Sequence, residues 1–126
     1  MTGGRARLWL PLGAVAGFLG VGLGAFGAHA LRTRLTPDLL AVYHTGVEYQ
    51  FYHAFALLAV GLCAQQRPSR TLDFAGLCFT AGILLFSGSL YALALSGLRM
   101  LGAITPLGGV MFLLGWASLA IGASKR

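Results

Sequence analysis

Apolar residues run through four long stretches of this chain, at about Leu8–Leu31, Val47–Ala64, Leu72–Leu95 and Met100–Gly122, with short polar segments between them. Each reaches or approaches the roughly 20 residues that an α-helix needs to cross a bilayer core. The pattern predicts an all-α integral membrane four-helix bundle, with spans at about 8–31, 43–65, 72–95 and 100–122. The whole of 1–126 reads as one transmembrane domain without a linker.

Glycines refine this picture. Gly13, Gly17, Gly20, Gly24 and Gly27 recur at alternating steps of four and three, which places them on one stripe of the first helix. In lipid, apolar side chains gain little by meeting one another, so helices associate where small residues let backbones approach. The stripe is therefore a contact surface, expected to face a helix of the same chain ahead of a second copy. Gly108, Gly115 and Gly122 repeat the device in the fourth span, and Ala75, Gly82, Ser89 and Ser96 give the third a similar seam.

The second helix has the clearest start. Thr36-Pro37-Asp38 supplies an N-cap and a proline at the first helical position. Helix is expected from there to about Gln65, longer than the hydrocarbon requires, so its first turns stand at or above the head groups. In the fourth span, Thr105-Pro106 falls one to two turns inside the apolar run and predicts a kink.

Polar residues cluster on the second helix: His44, Glu48, Tyr49, Gln50, Tyr52 and His53 lie within three turns. If the chain crosses four times, His29, Ser87, Ser89, Tyr91, Arg99 and Thr105 reach the same leaflet from the other helices. The candidate site is therefore His29, His44, Glu48, Gln50, His53, Tyr91, Arg99 and Thr105. An ionisable group at membrane depth needs a partner or must snorkel to water. Arg99 is the expected partner of Glu48, with Arg32, Arg34 and His44 as alternatives. Such a cluster reads first as an interhelical clasp and second as a site for a lipid head group, quinone, small solute or proton. The opposite halves of the spans read as nearly pure hydrocarbon, with Trp9 and Trp116 in an interfacial belt there.

Composition agrees with the pattern: hydrophobic residues make up 57% and charged residues 10%, against about a quarter charged in soluble domains. The net charge of +6 does not imply nucleic acid, because the basic residues sit at the ends of the apolar runs. Arg5, Arg7, Arg67, Arg70, Lys125 and Arg126 fall on one side and Arg32, Arg34 and Arg99 on the other, so both termini are expected to be cytoplasmic. The first run is longer than a signal-peptide core and is expected to remain as a span, although Ala28-His29-Ala30 mimics a cleavage site. Cys63 and Cys78 read as small packing residues. The three histidines lack metal-ligand spacing or a haem attachment motif, so no metal and no cofactor are expected.

The motifs Gly24-Ala25-Phe26-Gly27-Ala28-His29, Thr45-Gly46-Val47-Glu48-Tyr49-Gln50 with His53, Leu85-Phe86-Ser87-Gly88-Ser89-Leu90-Tyr91 and Thr105-Pro106-Leu107-Gly108-Gly109 occur in that order. In this the chain resembles the YgdD/YwdK family of small membrane proteins over nearly its whole length. The resemblance implies a four-span protein of the bacterial inner membrane and supplies no activity and no catalytic residues. The leading functional expectation is a non-enzymatic structural or accessory membrane protein. A small transporter or proton conductor using Glu48 and the histidines is the alternative, and a lipid- or quinone-binding protein comes third. Expected partners are the lipid bilayer and either a larger membrane complex or a second copy.

Overall fold

The computed structural model describes residues 3–125, and among them five α-helices build four spans. Helix α1 (Gly3–Phe26) continues into a π-helical turn at Gly27–Leu31, and α2 runs from Pro37 to Gln66. The third span joins α3 (Arg70–Gly82) to α4 (Gly88–Ser96) through a π-helical turn at Ile83–Ser87. A 3-10 turn at Arg99–Ala103 leads into α5 (Thr105–Ser124). Four helical segments, Arg5–Leu31, Pro37–Gln66, Arg70–Ser96 and Arg99–Ser124, are long and apolar enough to cross a membrane.

Local chemistry sets the boundaries. Thr36 and Ser69 are both extended, and their hydroxyls accept the backbone N–H groups of Leu39 and Leu72 at the starts of α2 and α3. Gly97 ends α4 at a φ of 76°, a left-handed conformation that glycine adopts without a Cβ penalty, and its N–H closes on the Leu93 carbonyl. Pro106 falls in the first turn of α5, because the preceding 3-10 turn resets the helix start. The expected kink inside a continuous fourth helix is therefore corrected: Pro106 sits where its missing N–H has no helical partner to lose. At 30 residues, α2 is about 45 Å long against a hydrocarbon core of about 30 Å, as expected from its start signal.

The second span lies at the centre. Half of its most apolar stretch is buried (50%), against 17% for the first span and 22% for the fourth. Helix α1 lies along α2, α5 lies along α3, and α2 packs on both halves of the third span. Glycines set how closely these helices approach. A Cβ at Gly27 would stand 2.5 Å from the Tyr43 ring, and one at Gly13 2.9 Å from the Ala54 carbonyl. The first-helix stripe therefore faces its own chain. Gly20 meets Phe51 and Gly24 meets Val47, but Gly17 has open space where a Cβ would stand and makes no such contact. Between the third span and α5, Phe79 sits over Gly115 while Phe112 sits over Gly82, and Gly108 abuts the backbone of Phe86. Each aromatic knob fills the gap left by a missing side chain, which replaces the hydrophobic drive that lipid removes.

Candidate functional site: polar contacts between the spans

The buried polar residues occupy three levels along the bundle axis. Nearest the end opposite the termini, Gln50 (4% exposed) bridges three helices. Its amide donates to the Ala16 carbonyl on α1 at 2.8 Å, and its carbonyl accepts from the Tyr91 hydroxyl on α4. Two turns away, the Tyr43 hydroxyl donates to the Leu23 carbonyl, tying α2 to α1 again. Gly46 makes the approach of α4 possible: the Tyr91 ring lies over it, and the fully buried Ser87 donates to its carbonyl at 2.7 Å. On the other side of the third span, Ser89 and Thr105 share a 2.6 Å hydrogen bond that joins α4 to α5.

The middle level belongs to His53. Its Nδ1 lies 2.7 Å from the Tyr49 carbonyl, and the Trp116 indole N–H donates to Nε2 at 3.1 Å. An indole can only donate, so Nε2 is the bare nitrogen and Nδ1 carries the proton. The imidazole is stacked on Phe112, with ring centroids 3.4 Å apart and planes 5° apart. Both nitrogens are engaged, and neither is left for a metal or a solute.

At the end that carries the termini, Trp9 is 1% exposed and its indole N–H donates to Asp73 Oδ1 at 3.0 Å. Asp73 is itself 5% exposed. Gly76, one turn further on, gives the Trp9 ring its seat on α3. Two expectations are corrected here: this half of the bundle is not pure hydrocarbon, and Trp9 is a core residue that joins α1 to α3. Trp116, which is exposed, also donates its indole N–H to His53.

The pairing of Glu48 with Arg99 is also corrected. The Arg99 guanidinium bonds Asp38 at 2.8 Å, in the exposed first turn of α2, where the Thr36 hydroxyl also donates to the same carboxylate. Glu48 is exposed and has no hydrogen bond or ion pair to another described residue. His29 and His44 are exposed as well, and His44 has only an edge contact with the Tyr43 ring. The structure thus gathers Gln50, Tyr91, His53 and Thr105 into interhelical contacts and leaves His29, His44 and Glu48 outside. Cys63 and Cys78 are free thiols, and Cys63 packs at the edge of the core.

What this arrangement can do follows from its completeness. Among the described residues no buried side-chain nitrogen or oxygen lacks a hydrogen-bond partner. No group of three or more His, Cys, Asp or Glu side chains stands ready for a metal ion there. The contacts join helices, and a satisfied buried network of this kind fixes register.

Residues 23–109 match the family described as "Protein of unknown function (DUF423)". The chain is 45% identical over 120 residues to the UPF0382 membrane protein YwdK of Bacillus subtilis, covering 94% of this chain and 98% of that one. It is 43% identical over 120 residues to the UPF0382 inner membrane protein YgdD of Escherichia coli, covering 95% and 92% respectively. A similar relative is the UPF0382 membrane protein SSP2132 of Staphylococcus saprophyticus, at 44% identity over 94% of this chain and 98% of that one. No solved structure matches the chain.

Proposed function

This chain belongs to the DUF423 family of membrane proteins, and we propose that within it the chain is a non-enzymatic accessory protein that docks on a larger membrane complex. It is a multi-pass protein of the inner (plasma) membrane. The observation that carries the proposal is the satisfied polar network: the buried hydrogen-bonding groups are used to hold helices to one another. Catalysis or conduction would call for polar groups converging on a free space with capacity to spare. His53 has both nitrogens engaged, and Glu48 lies outside the bundle interior.

The flanking helices supply the docking surface. Helix α1 turns Phe18, 78% exposed, away from the bundle, and α5 does the same with Leu113. Gly17 and Gly22 leave the α1 backbone open to close approach by a further helix. The basic bias toward the termini-bearing end supports a cytoplasmic position for both termini.

The test is a pull-down of the full chain in mild detergent, with a photo-cross-linking residue at Phe18 on α1. The proposal expects larger membrane subunits at fixed stoichiometry, with cross-links from α1. A lone small species, with cross-links to lipid only, overturns it.

A further inference from the structure

Helices α2 and α5 both contribute walls to two cavities. One lies at the end that carries the termini. It has a volume of about 450 Å³ and is walled by Cys63 and Gln66 of α2, Arg67 just beyond it, Leu72 of α3, and Gly122 to Lys125 at the end of α5. The Arg67 guanidinium donates to the Lys125 carbonyl at 2.8 Å, and Lys125 Nζ donates to the Thr71 hydroxyl at 2.9 Å. Both cations are thus held at the cavity wall by neutral groups. Among the described residues the one salt bridge is Arg99–Asp38, at the opposite end, so no described side-chain carboxylate pairs with Arg67 or Lys125.

The other cavity, of about 380 Å³, is an aromatic groove between Tyr49, Tyr52, Phe86, Phe112 and Trp116, floored by His53. It is open at the side, as a groove facing acyl chains would be. From Cys63 or Gln66 back to His53 is 10 or 13 residues along α2, or about 15–20 Å of helix. Half the hydrocarbon thickness is about 15 Å. The basic cavity thus stands at a membrane surface while the groove lies near the depth where acyl chains end. Between them, helical spacing from the lining residues puts Ala59 and Cys63 on the cavity side of α2 and Ala120 and Ala123 on that of α5, all small side chains.

We propose that these two cavities hold one anionic phospholipid. Its phosphate lies between Arg67 and Lys125, and an acyl chain runs along the α2–α5 face to end among Phe112, Trp116 and Tyr49. Charge selects the head group, since two neighbouring cations attract an anion and a guanidinium suits phosphate oxygens. Shape selects a lipid over free phosphate, because the groove gives the chain a place that a free ion does not use.

Full-length protein in phosphatidylcholine vesicles tests this, with a minor fraction of phosphatidylglycerol or phosphatidylcholine brominated in its acyl chains. Bromine quenches a tryptophan it touches, and Trp116 stands in the groove. The expected result is that phosphatidylglycerol quenches at a roughly 10- to 30-fold lower mole fraction than phosphatidylcholine, the equivalent of about 1.4–2 kcal/mol for two cations. Arg67→Gln with Lys125→Gln should bring the two lipids together, whereas Arg32→Gln at the far end should leave the preference intact. Trp116→Phe should remove the quenched component. Should the double variant fail to fold, Lys125→Gln alone, at an exposed position, should lose about half the preference. Equal quenching by both lipids in the unmodified protein overturns the proposal. Abolition of the preference by millimolar inorganic phosphate also overturns it, assigning the basic cavity to a free anion.

Discussion

Replacing Gln50 with leucine removes the bond to the Ala16 carbonyl and the bond from the Tyr91 hydroxyl together, while keeping the side chain near its original size. Interhelical hydrogen bonds inside membranes contribute about 0.6 kcal/mol on average and about 1.7 kcal/mol at most. Two of them put the cost of Gln50→Leu at about 1–3 kcal/mol. Tyr91→Phe breaks only the shared bond and should cost about 0.6–1.7 kcal/mol. Once Gln50 is gone, the Tyr91 hydroxyl has lost its partner, so removing it should then cost little. The double variant should therefore be more stable than the sum of the singles predicts, by about 0.6–1.7 kcal/mol. The assay is reversible unfolding in mixed micelles by titration with a denaturing detergent, followed by helix content in the far-ultraviolet. Strict additivity, within about 0.3–0.5 kcal/mol, would refute the reasoning, because independent sites behave that way.

Other perturbations read the remaining levels by the same assay. Gly46→Ala would put a Cβ 2.8 Å from the Tyr91 ring and should cost about 1–3 kcal/mol, whereas Gly22→Ala enters open space and should be neutral or stabilising by up to about 1 kcal/mol. Trp9→Phe leaves the buried Asp73 without its indole donor, for about 1–3 kcal/mol, while Asp73→Asn keeps an oxygen for that donor and should be milder. Arg99→Ala should leave the unfolding midpoint almost unchanged, since its pair with Asp38 is exposed and screened by salt. A reporter fused after Arg126 should signal from the cytoplasm; a periplasmic signal would reverse the proposed topology.

The four spans, the long second helix and the facing of most glycines were legible because they depend on local pattern. Depth along a helix could be read in part: Gln50 meets Tyr91 and Ser89 meets Thr105 as their levels implied, but His53 and Trp116, read at opposite ends of the bundle, bond each other. Rotation about the helix axis could not. Glu48 and Gln50 are two residues apart and so point about 160° from each other, and only the packing decides which faces inward. The helix buries Gln50 and exposes Glu48. Arg99 then finds Asp38, which the sequence offered only as part of a helix start.

Asp73 was hidden for a related reason. A carboxylate in the first turn after a serine cap reads as a partner for the helix dipole, and its real partner, Trp9, lies 64 residues away. The π-helical turns at Gly27–Leu31 and Ile83–Ser87 carry no local signature that composition reveals. Pro106 misled because the apolar run begins at Met100, while the α-helix begins five residues later, after a 3-10 turn.

The most direct test of the central claim, that polar side chains in the spans bind helix to helix and carry nothing across, is proton flux in liposomes holding the purified protein. Under an imposed pH gradient and membrane potential, the account predicts a leak equal to that of protein-free liposomes, with Glu48→Gln indistinguishable from the parent. A protein-dependent flux that Glu48→Gln or His53→Ala abolishes, in a variant that still folds, would contradict it.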